Sequence, residues 1–326
     1  DATLSVAASS DDALNKLGRH RKTPRTSGMQ LKIPCHLAGD GTLSVAHDKA
    51  FTHIVKVSPQ SADMSTLGSI EWFTMSMAAC CGIETEKFVV ADIGGPSPVF
   101  IAERFDVRNG PNDDSMILTE DMWSIMGLTR NDDKYEADLM AVGAIVRENS
   151  TDPYTDVRRL FRQVVFSWVA GNSDLHLKNL MMIKHANDEM NGFSSVRLSP
   201  AYDLVCTQVY PGDAETAALR IDNQGMYNAD LLRSFAKSLK IERAEADEIM
   251  ASVITSIGNY AAPMLSNLPE VIRNHDLSVE HINKAANIMA GRSMALAKQL
   301  TTPTARPRIR MGSSSSARDA DFSFSA

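Results

Sequence analysis

The chain has 326 residues, 44% of them hydrophobic, and carries a formal net charge of −7 at pH 7. This length can bury a sizeable core and suits two lobes better than one small domain. The negative charge gives no overall positive field that would attract nucleic acid. The four cysteines contain no Cys-x-x-Cys pair and fit neither a disulfide framework nor a zinc site. Without a signal segment or an apolar run of membrane-spanning length, the protein is expected to be soluble and cytoplasmic.

The first predicted elements along the chain are short strands. Residues 1–24 are polar and are expected to form an irregular arm. Two β-prone segments follow at residues 31–37 and 51–57, and the Gly-Asp-Gly turn at residues 39–41 predicts that they pair as an antiparallel hairpin. Lys56 interrupts an almost continuous apolar run in the second segment. It is therefore either an edge residue that reaches water or a buried cation with an anionic partner.

Helices dominate the predictions for the rest of the chain. Apolar residues at helical spacing predict a helix over residues 67–81, which includes Glu71. Residues 99–106 form an apolar strand, and a Thr with acidic residues ahead of an apolar run predicts a helix N-terminus over residues 118–126. The composition at the end of the chain, rich in Thr, Pro, Arg and Ser, predicts a disordered tail. Further helices are predicted over residues 154–169, 228–239, 242–260 and 279–300, and the tail over residues 301–326.

Residues 171–179, Gly-Asn-Ser-Asp-Leu-His-Leu-Lys-Asn, form the chemically most informative segment. It holds Asp174 and Asn179 five positions apart, and Asp203 follows at a strand predicted over residues 197–204. In protein kinases, an Asp at this spacing accepts the proton of the attacking hydroxyl, while the Asn and the later Asp hold Mg²⁺. Each residue alone is more typical of a turn or a helix cap. The whole set favours the base and metal roles, because a cap does not require the second carboxylate.

The same segment departs from an ordinary eukaryotic-type kinase. No Arg precedes Asp174, His176 and Lys178 lie inside the loop, and Tyr-Asp-Leu stands in place of Asp-Phe-Gly. The combination of Asn-Ser-Asp-x-His-x-Lys-Asn with Arg-Leu-Ser-Pro-Ala-Tyr-Asp-Leu resembles the HipA family, bacterial serine/threonine kinases that act as toxins in type II toxin–antitoxin modules. His176 and Lys178 are therefore expected to support the catalytic loop. Packing beneath the loop is an equally good interpretation of His176.

The resemblance covers roughly residues 25–300 and implies a two-lobed, protein-kinase-like α+β fold. The β-rich N-lobe would span residues 25–106 and the helical C-lobe residues 107–300. The resemblance also implies an ATP site, with a lysine on the phosphates, a glutamate that pairs with it, a loop that covers the phosphates and a hinge that meets adenine through its backbone. Ser27, which precedes the glycine of that loop, is also the candidate for autophosphorylation. The residues assigned to ATP are Ser27, Gly28, Gln30, Lys32, Lys56, Glu71, Glu103 and Phe105.

The activity implied by the resemblance is ATP- and Mg²⁺-dependent phosphorylation of a serine or threonine on a protein. The expected target is a translation component such as an aminoacyl-tRNA synthetase. The expected partner is a helix-turn-helix antitoxin similar to HipB, through which alone the protein would meet DNA. Full-length HipA-like proteins carry an additional N-terminal subdomain, so a separate small protein that supplies it is a further expected partner of this shortened form. Two alternatives stay open: a catalytically silent corepressor that binds the antitoxin, and a kinase for small molecules or lipids on a related fold.

Overall fold

The computed structural model describes residues 30–46, 51–59, 61, 64–108, 116–187, 189, 191–212 and 215–301. In this part of the chain, an antiparallel sheet and one long helix come before a larger, mainly helical region. The predicted arm, the residues Ser27 and Gly28, and the predicted tail after Thr301 lie outside the described residues. The exact lobe boundaries stay predictions.

Five strands form the N-terminal sheet, which is antiparallel throughout. They are β1 (Leu31–Leu37), β2 (Leu43–Val45), β3 (His53–Val57), β4 (Phe88–Ala91) and β5 (Val99–Glu103), in the order β2-β1-β3-β5-β4. The pairing of β1 with β3 confirms the predicted partners and sets Lys32 opposite Lys56. The predicted connection between them is wrong, because the turn at residues 39–41 leads into β2, which pairs with the other edge of β1. A strand of three residues is too short to show a periodic pattern.

Helix α1 (Leu67–Cys80) packs against one face of this sheet and confirms the helix predicted over residues 67–81. It lies very close to the start of β5, and glycine at residue 68 favours this close approach. A Cβ atom on Gly68 would come within 3.0 Å of the carbonyl oxygen of Pro98 and 3.1 Å of the nitrogen of Phe100. The opposite face of the sheet has a small core of its own, formed by Ile33, Cys35, Leu43, Val55, Val99 and Ile101.

The strands of a second antiparallel sheet come before and after residues 171–179 in the sequence. It contains β6 (Leu118–Asp121), β7 (Met181–Ala186) and β8 (Phe193–Leu198), in the order β6-β7-β8. The helix N-terminus predicted in residues 118–126 is confirmed at Asp121, while the residues ahead of the helix form β6 and pair with β7. Helix α2 (Met122–Ile125) begins after them, and the carboxylate of Asp121 caps it by accepting the Ser124 N–H. The strand predicted over residues 197–204 ends at Leu198, because Pro200 has no N–H to donate to a ladder.

The larger region is built mainly from helices. They are α3 (Leu139–Asn149), α4 (Pro153–Val169), α5 (Ala229–Ser238), α6 (Arg243–Ser266), α7 (Glu270–Arg273) and α8 (Asp276–Thr301). Helices α4, α5, α6 and α8 confirm predictions, whereas α3 and α7 were not predicted, and α6 continues past its predicted end through Pro263. Helix α4 forms the centre of the main core, where Leu160, Phe161 and Phe166 are fully buried. No helix in the described part of the chain is long and apolar enough to cross a membrane.

Helix α1 is tied to the C-terminal helix α8 as well as to the sheet. Thr66, which precedes α1, has its hydroxyl 2.7 Å from Nδ1 of His281 on α8. The hydroxyl of Ser278 on α8 donates to that of Ser69 on α1 at 2.9 Å. Thr66, Ser69 and Ser278 are all fully buried. Because buried polar groups are costly to leave unpaired, these contacts hold α1 in one position against the helical region.

Candidate active site

Lys56 lies at the centre of a buried cluster of charged side chains. It is only 4% exposed on β3, contacts the carboxylate of Glu71 on α1, and donates a hydrogen bond to Oδ1 of Asp203 at 2.7 Å. The Nζ atom of Lys32, on the neighbouring strand β1, lies 3.6 Å from Oδ2 of Asp203. Of the two interpretations of Lys56, the structure therefore shows the buried cation with anionic partners. We call Lys32, Lys56, Glu71 and Asp203, together with Glu86 described below, the Lys56 cluster.

Burial and pairing act in opposite directions on the ionisation of these groups. Burial lowers the pKa of Lys56, but the attraction of Asp203 and Glu71 outweighs it, so this pKa lies above the ordinary value. Burial also opposes ionisation of Asp203, yet Lys56 and Lys32 hold its pKa well below the usual range. Burial raises the pKa of Glu71, and the contact with Lys56 offsets only part of that rise. Lys56 and Asp203 are therefore both charged at neutral pH.

Asp203 has an unusual backbone conformation, with φ at 56°. Residues other than glycine seldom adopt this left-handed region, and the strain has to be held by the surrounding structure. The neighbouring residue Tyr202 fixes this part of the backbone through two contacts. Its hydroxyl donates to the carbonyl oxygen of Lys178 at 2.5 Å, and its ring lies 5.6 Å from the ring of Phe105, just after β5. Tyr202 thereby connects the segment after β8 to residues 171–179 and to the predicted hinge.

The predicted catalytic loop follows α4 directly. The chain turns at Gly171, whose φ is 69°. The N–H of Asp174 donates to Oδ1 of Asn172, and Nδ2 of Asn179 donates to the carbonyl oxygen of Asp174, both at 2.9 Å. Asn172 and Asn179 are buried, whereas Asp174 is exposed. The loop therefore presents the Asp174 side chain to solvent on a backbone that two buried asparagines fix.

His176 and Lys178 occupy different places around this loop. His176 is buried, and its ring meets the ring of Tyr135 edge-on with centroids 5.4 Å apart, as the packing interpretation predicts. Burial lowers the pKa of His176, so the ring is neutral at neutral pH. The Nζ atom of Lys178 lies 3.8 Å from the centroid of the Trp123 ring, which directs its ammonium group toward α2.

The remaining residues assigned to ATP lie nearer the edges of the site. The side-chain nitrogen of Gln30 is buried without a hydrogen-bond partner among the described residues. Glu103 ends β5, and one of its carboxylate oxygens is 3.3 Å from Nζ of the exposed Lys87. Phe105 packs on Tyr202, as described above. Since the hinge role predicted for Glu103 and Phe105 uses backbone atoms, their side-chain contacts leave that prediction open.

Two further side chains belong to the site, although no sequence pattern marked them. Glu86, between α1 and β4, is 9% exposed, and its Oε1 has no hydrogen-bond partner among the described residues. Burial raises the pKa of Glu86 to about 8, against the attraction of Lys56. Tyr135, in the turn before α3, donates its hydroxyl to Oδ1 of Asp174 at 2.9 Å. Both lie in segments that resemble exposed loops in the sequence, so only the fold brings them to the site.

The donor groups suit Mg²⁺ and a nucleotide. Asp203 supplies a carboxylate and Asn179 an amide oxygen, which are the hard ligands that Mg²⁺ prefers. In nucleotide sites Mg²⁺ is held by one or two carboxylates plus the phosphates, and not by a cage of protein ligands. The described residues contain no group of three or more His, Cys, Asp or Glu side chains that could hold a metal by itself. Lys32 and Lys56 supply positive charge of the kind that binds phosphates.

Comparisons with known proteins agree with this architecture. Residues 25–260 match the family described as HipA-like C-terminal domain. Two curated proteins of Sinorhizobium fredii are similar: "Putative kinase Y4mE", 26% identical over 276 residues, and "Putative kinase Y4dM", 26% identical over 279 residues. The matches cover 82% and 78% of this chain but 62% and 64% of the relatives. The chain thus spans about three fifths of the length of these curated relatives.

Two solved structures are similar in fold. One is HipA of Shewanella oneidensis MR-1, solved with HipB and its operator DNA, with a TM-score of 0.70 and 18% identity over 86% of this chain and 67% of that one. The other is CtkA, a proinflammatory kinase of Helicobacter pylori, with a TM-score of 0.50 and 11% identity over 85% of this chain and 96% of that one. The mixed helices and antiparallel sheets confirm the predicted α+β, kinase-like fold. With the family match covering most of its length, the chain belongs to the HipA-like C-terminal domain family.

Proposed function

We propose that this protein is an ATP-dependent kinase that phosphorylates a serine or threonine on a protein. The observation that carries the proposal is the burial of Lys56 between Glu71 and Asp203. A lysine held by a helix glutamate, beside an aspartate suited to metal binding, is the arrangement that phosphoryl transfer requires. The two relatives from Sinorhizobium fredii, both named as kinases, support the same conclusion.

Each residue of the site has a distinct task in this proposal. Lys56 and Lys32 would bind the nucleotide phosphates, and Asn179 and Asp203 would hold Mg²⁺, whose charge offsets that of the phosphates. Asp174 would accept the proton of the attacking hydroxyl, while that oxygen bonds to the γ-phosphorus and the bond to the β-phosphate oxygen breaks to release ADP. The side chains provide position and charge, which are the main sources of catalysis in this reaction.

The biological setting is proposed on likeness. The Shewanella oneidensis HipA structure is a toxin–antitoxin complex with HipB and operator DNA. We assign this chain the toxin role in such a module, with a helix-turn-helix antitoxin as partner and DNA contact only through it. The net charge of −7 agrees with indirect DNA contact. A translation component such as an aminoacyl-tRNA synthetase is the proposed target in the cytoplasm, and Ser27 stays the candidate for autophosphorylation.

Incubation with Mg²⁺ and labelled ATP in cell lysate tests this proposal. The wild-type protein is expected to label a protein on serine or threonine. Asp174→Asn keeps the shape but removes the base, so it should bind Mg²⁺-ATP normally while transfer falls about a hundredfold or more. Asp222→Asn, a change of an exposed aspartate on the helical region, is the matched control and should be fully active.

The other outcomes identify the competing functions. A labelled lipid or small molecule would replace the protein substrate with one of that class. Normal Mg²⁺-ATP binding without any labelled product would indicate the silent corepressor. Full activity in Asp174→Asn would remove Asp174 from the reaction.

A further inference from the structure

Tyr135 contacts the proposed base directly. Its hydroxyl donates a hydrogen bond to Oδ1 of Asp174 at 2.9 Å, from a position 39 residues earlier in the chain. It lies at the end of the 3-10 turn Asn131–Tyr135 and is 39% exposed, so it is not a core residue that meets Asp174 by chance of burial. The contact matters here because its acceptor is the carboxylate proposed as the catalytic base.

The backbone of Asp174 is firmly held, but its carboxylate is not. Besides the contacts with Asn172 and Asn179, its carbonyl oxygen accepts the N–H of His176 at 2.8 Å. The Tyr135 hydroxyl donates a hydrogen bond to Oδ1 of that carboxylate. An exposed side chain otherwise moves among rotamers at little energetic cost. The Tyr135 hydroxyl therefore restrains the orientation of the Asp174 carboxylate.

Tyr135 can do this because its own position is fixed. Its ring packs edge-on against His176, which is buried beneath the same loop. The turn that carries it is closed by the Arg130 N–H, which donates to Oδ2 of Asp133 at 3.2 Å. The indole N–H of Trp123 donates to the carbonyl oxygen of Arg130 at 3.1 Å. The hydroxyl thus belongs to a ring that is packed on one side and anchored at the preceding turn.

We propose that Tyr135 is the positioning residue of the phosphoacceptor site, an inference that rests on the proposed function. It holds Oδ1 of Asp174 and leaves Oδ2 to receive the proton of the incoming hydroxyl. A base must lie within hydrogen-bond reach of that proton, and a misplacement of about 1 Å lowers the rate about a hundredfold. Tyr135 acts on the transfer step, and nucleotide binding does not involve it. This arrangement also gives buried His176 a task, since its ring supports the ring of Tyr135.

Tyr135→Phe tests the proposal, because it keeps the ring and its contact with His176 and removes only the hydroxyl. We expect kcat to fall about tenfold or more, the size of a hydrogen bond to a charged group. The KM for ATP, the Mg²⁺-ATP affinity by calorimetry and the melting temperature should stay at wild-type values. Tyr260→Phe, which removes an exposed hydroxyl from α6, is the matched control and should leave every parameter unchanged.

Three results would overturn the inference. A wild-type kcat in Tyr135→Phe would show that the hydroxyl does not position Asp174. A lower melting temperature or weaker ATP binding in that variant would assign Tyr135 a structural role. A phosphate on Tyr135, found by mass spectrometry of wild-type protein after incubation with Mg²⁺-ATP, would make it an acceptor. If the wild-type protein itself transfers no phosphate, both the proposed function and this inference fail. If the wild-type protein and the Phe variant are equally active, only the inference fails.

Discussion

Two aspartates in this protein, the fully buried Asp156 and the partly exposed Asp203, have very different surroundings. Asp156 on α4 is fully buried, and burial opposes its ionisation, but its hydrogen bonds outweigh burial and lower its pKa. All of its partners come from α4 and from segments that pack directly against it. These partners are the Ser150 hydroxyl, the guanidinium groups of Arg159 and Arg197, and the N–H of Leu198. We call them, with Asp156, the Asp156 cluster.

The Lys56 cluster is incomplete by the same standard. It joins β1, β3, α1 and the segment after β8, and its three carboxylates outnumber its two lysines. Oε2 of Glu71 and Oε1 of Glu86 have no hydrogen-bond partner among the described residues, and Asp203 has a strained φ. A complete buried network fixes a structure, whereas unpaired atoms, strain and shifted pKa values together indicate a ligand site. The difference separates a structural junction from a candidate active site within one chain.

Asp156→Ala should have the largest effect on stability. It leaves two guanidinium groups without their shared carboxylate and the Leu198 N–H without an acceptor. Removing one partner of a buried ion pair costs about 3–5 kcal/mol, which urea denaturation would detect. Glu84→Ala is the control, because Glu84 pairs with the same Arg159 but is exposed, and should cost less than about 1 kcal/mol. Equal losses of unfolding free energy in Asp156→Ala and Glu84→Ala would show that the Asp156 cluster stabilises the fold no more than an exposed ion pair does.

Asp203→Asn should have the reverse pattern, a small effect on folding and a larger one on binding. Asparagine tolerates the left-handed backbone, so the variant removes charge without adding strain. We expect the Mg²⁺-ATP affinity measured by calorimetry to fall about tenfold to a hundredfold, equivalent to about 1.4–2.8 kcal/mol.

The matched control for Asp203 is Asp222→Asn, since Asp222 is also left-handed, with φ at 49°, but exposed. This control should keep wild-type affinity. An unchanged affinity in Asp203→Asn would show that Asp203 is only a turn residue and that the Lys56 cluster has a structural role.

The smallest expected effect is a pH dependence that belongs to Glu86. Its pKa is about 8 in the folded protein and 4.5 for an ordinary glutamate, so the folded state binds this proton more tightly than the unfolded state. The stability that it contributes is complete below about pH 4.5 and is lost as the pH rises to about 8. Across this window the free energy of unfolding should fall by at least about 1.4 kcal/mol, the equivalent of one pKa unit. In Glu86→Gln this slope should become shallower.

Glu84→Gln is the control for this measurement, because it neutralises an exposed acid in the same segment. It should keep the wild-type slope. Asp156 and Asp203 do not confuse the result, because their pKa values are lowered and they titrate below this window. Glu71, whose pKa is raised, contributes to the slope that Glu86→Gln retains, whereas His53 and His176, whose pKa values are lowered by burial, contribute a slope of opposite sign in the same window. Identical slopes in all three proteins would show that Glu86 stays ionised.

The sequence predicted those parts of the site that depend on local spacing. The lysine in an apolar strand, the following helix with Glu71, and Asp203 after β8 all follow recognisable patterns, and the structure brings the three side chains into contact. Their catalytic roles stay predictions. Glu86 and Tyr135 could not be found in this way, because a carboxylate in a loop and a tyrosine in a turn are ordinary surface residues until the fold buries one and sets the other beside Asp174.

The errors in secondary structure have the same origin. Helices with a regular apolar face, such as α4 and α8, were predictable from the sequence. The strand β2 is three residues long, and β6 carries Thr, Glu and Asp, so neither has a periodic apolar pattern. Each exists because a neighbouring strand offers backbone partners. A pattern within one segment contains no information about such a partner.

The hydrogen bonds from Thr66 and Ser69 to α8 have a consequence for regulation. In many protein kinases the helix that carries the glutamate swings outward, separates it from the lysine and switches the enzyme off. In this protein the corresponding helix, α1, is hydrogen-bonded to α8 through fully buried hydroxyl groups. An outward movement of α1 would first have to break these hydrogen bonds. Any regulation that acted through the contact between Lys56 and Glu71 would therefore have to move α8 as well.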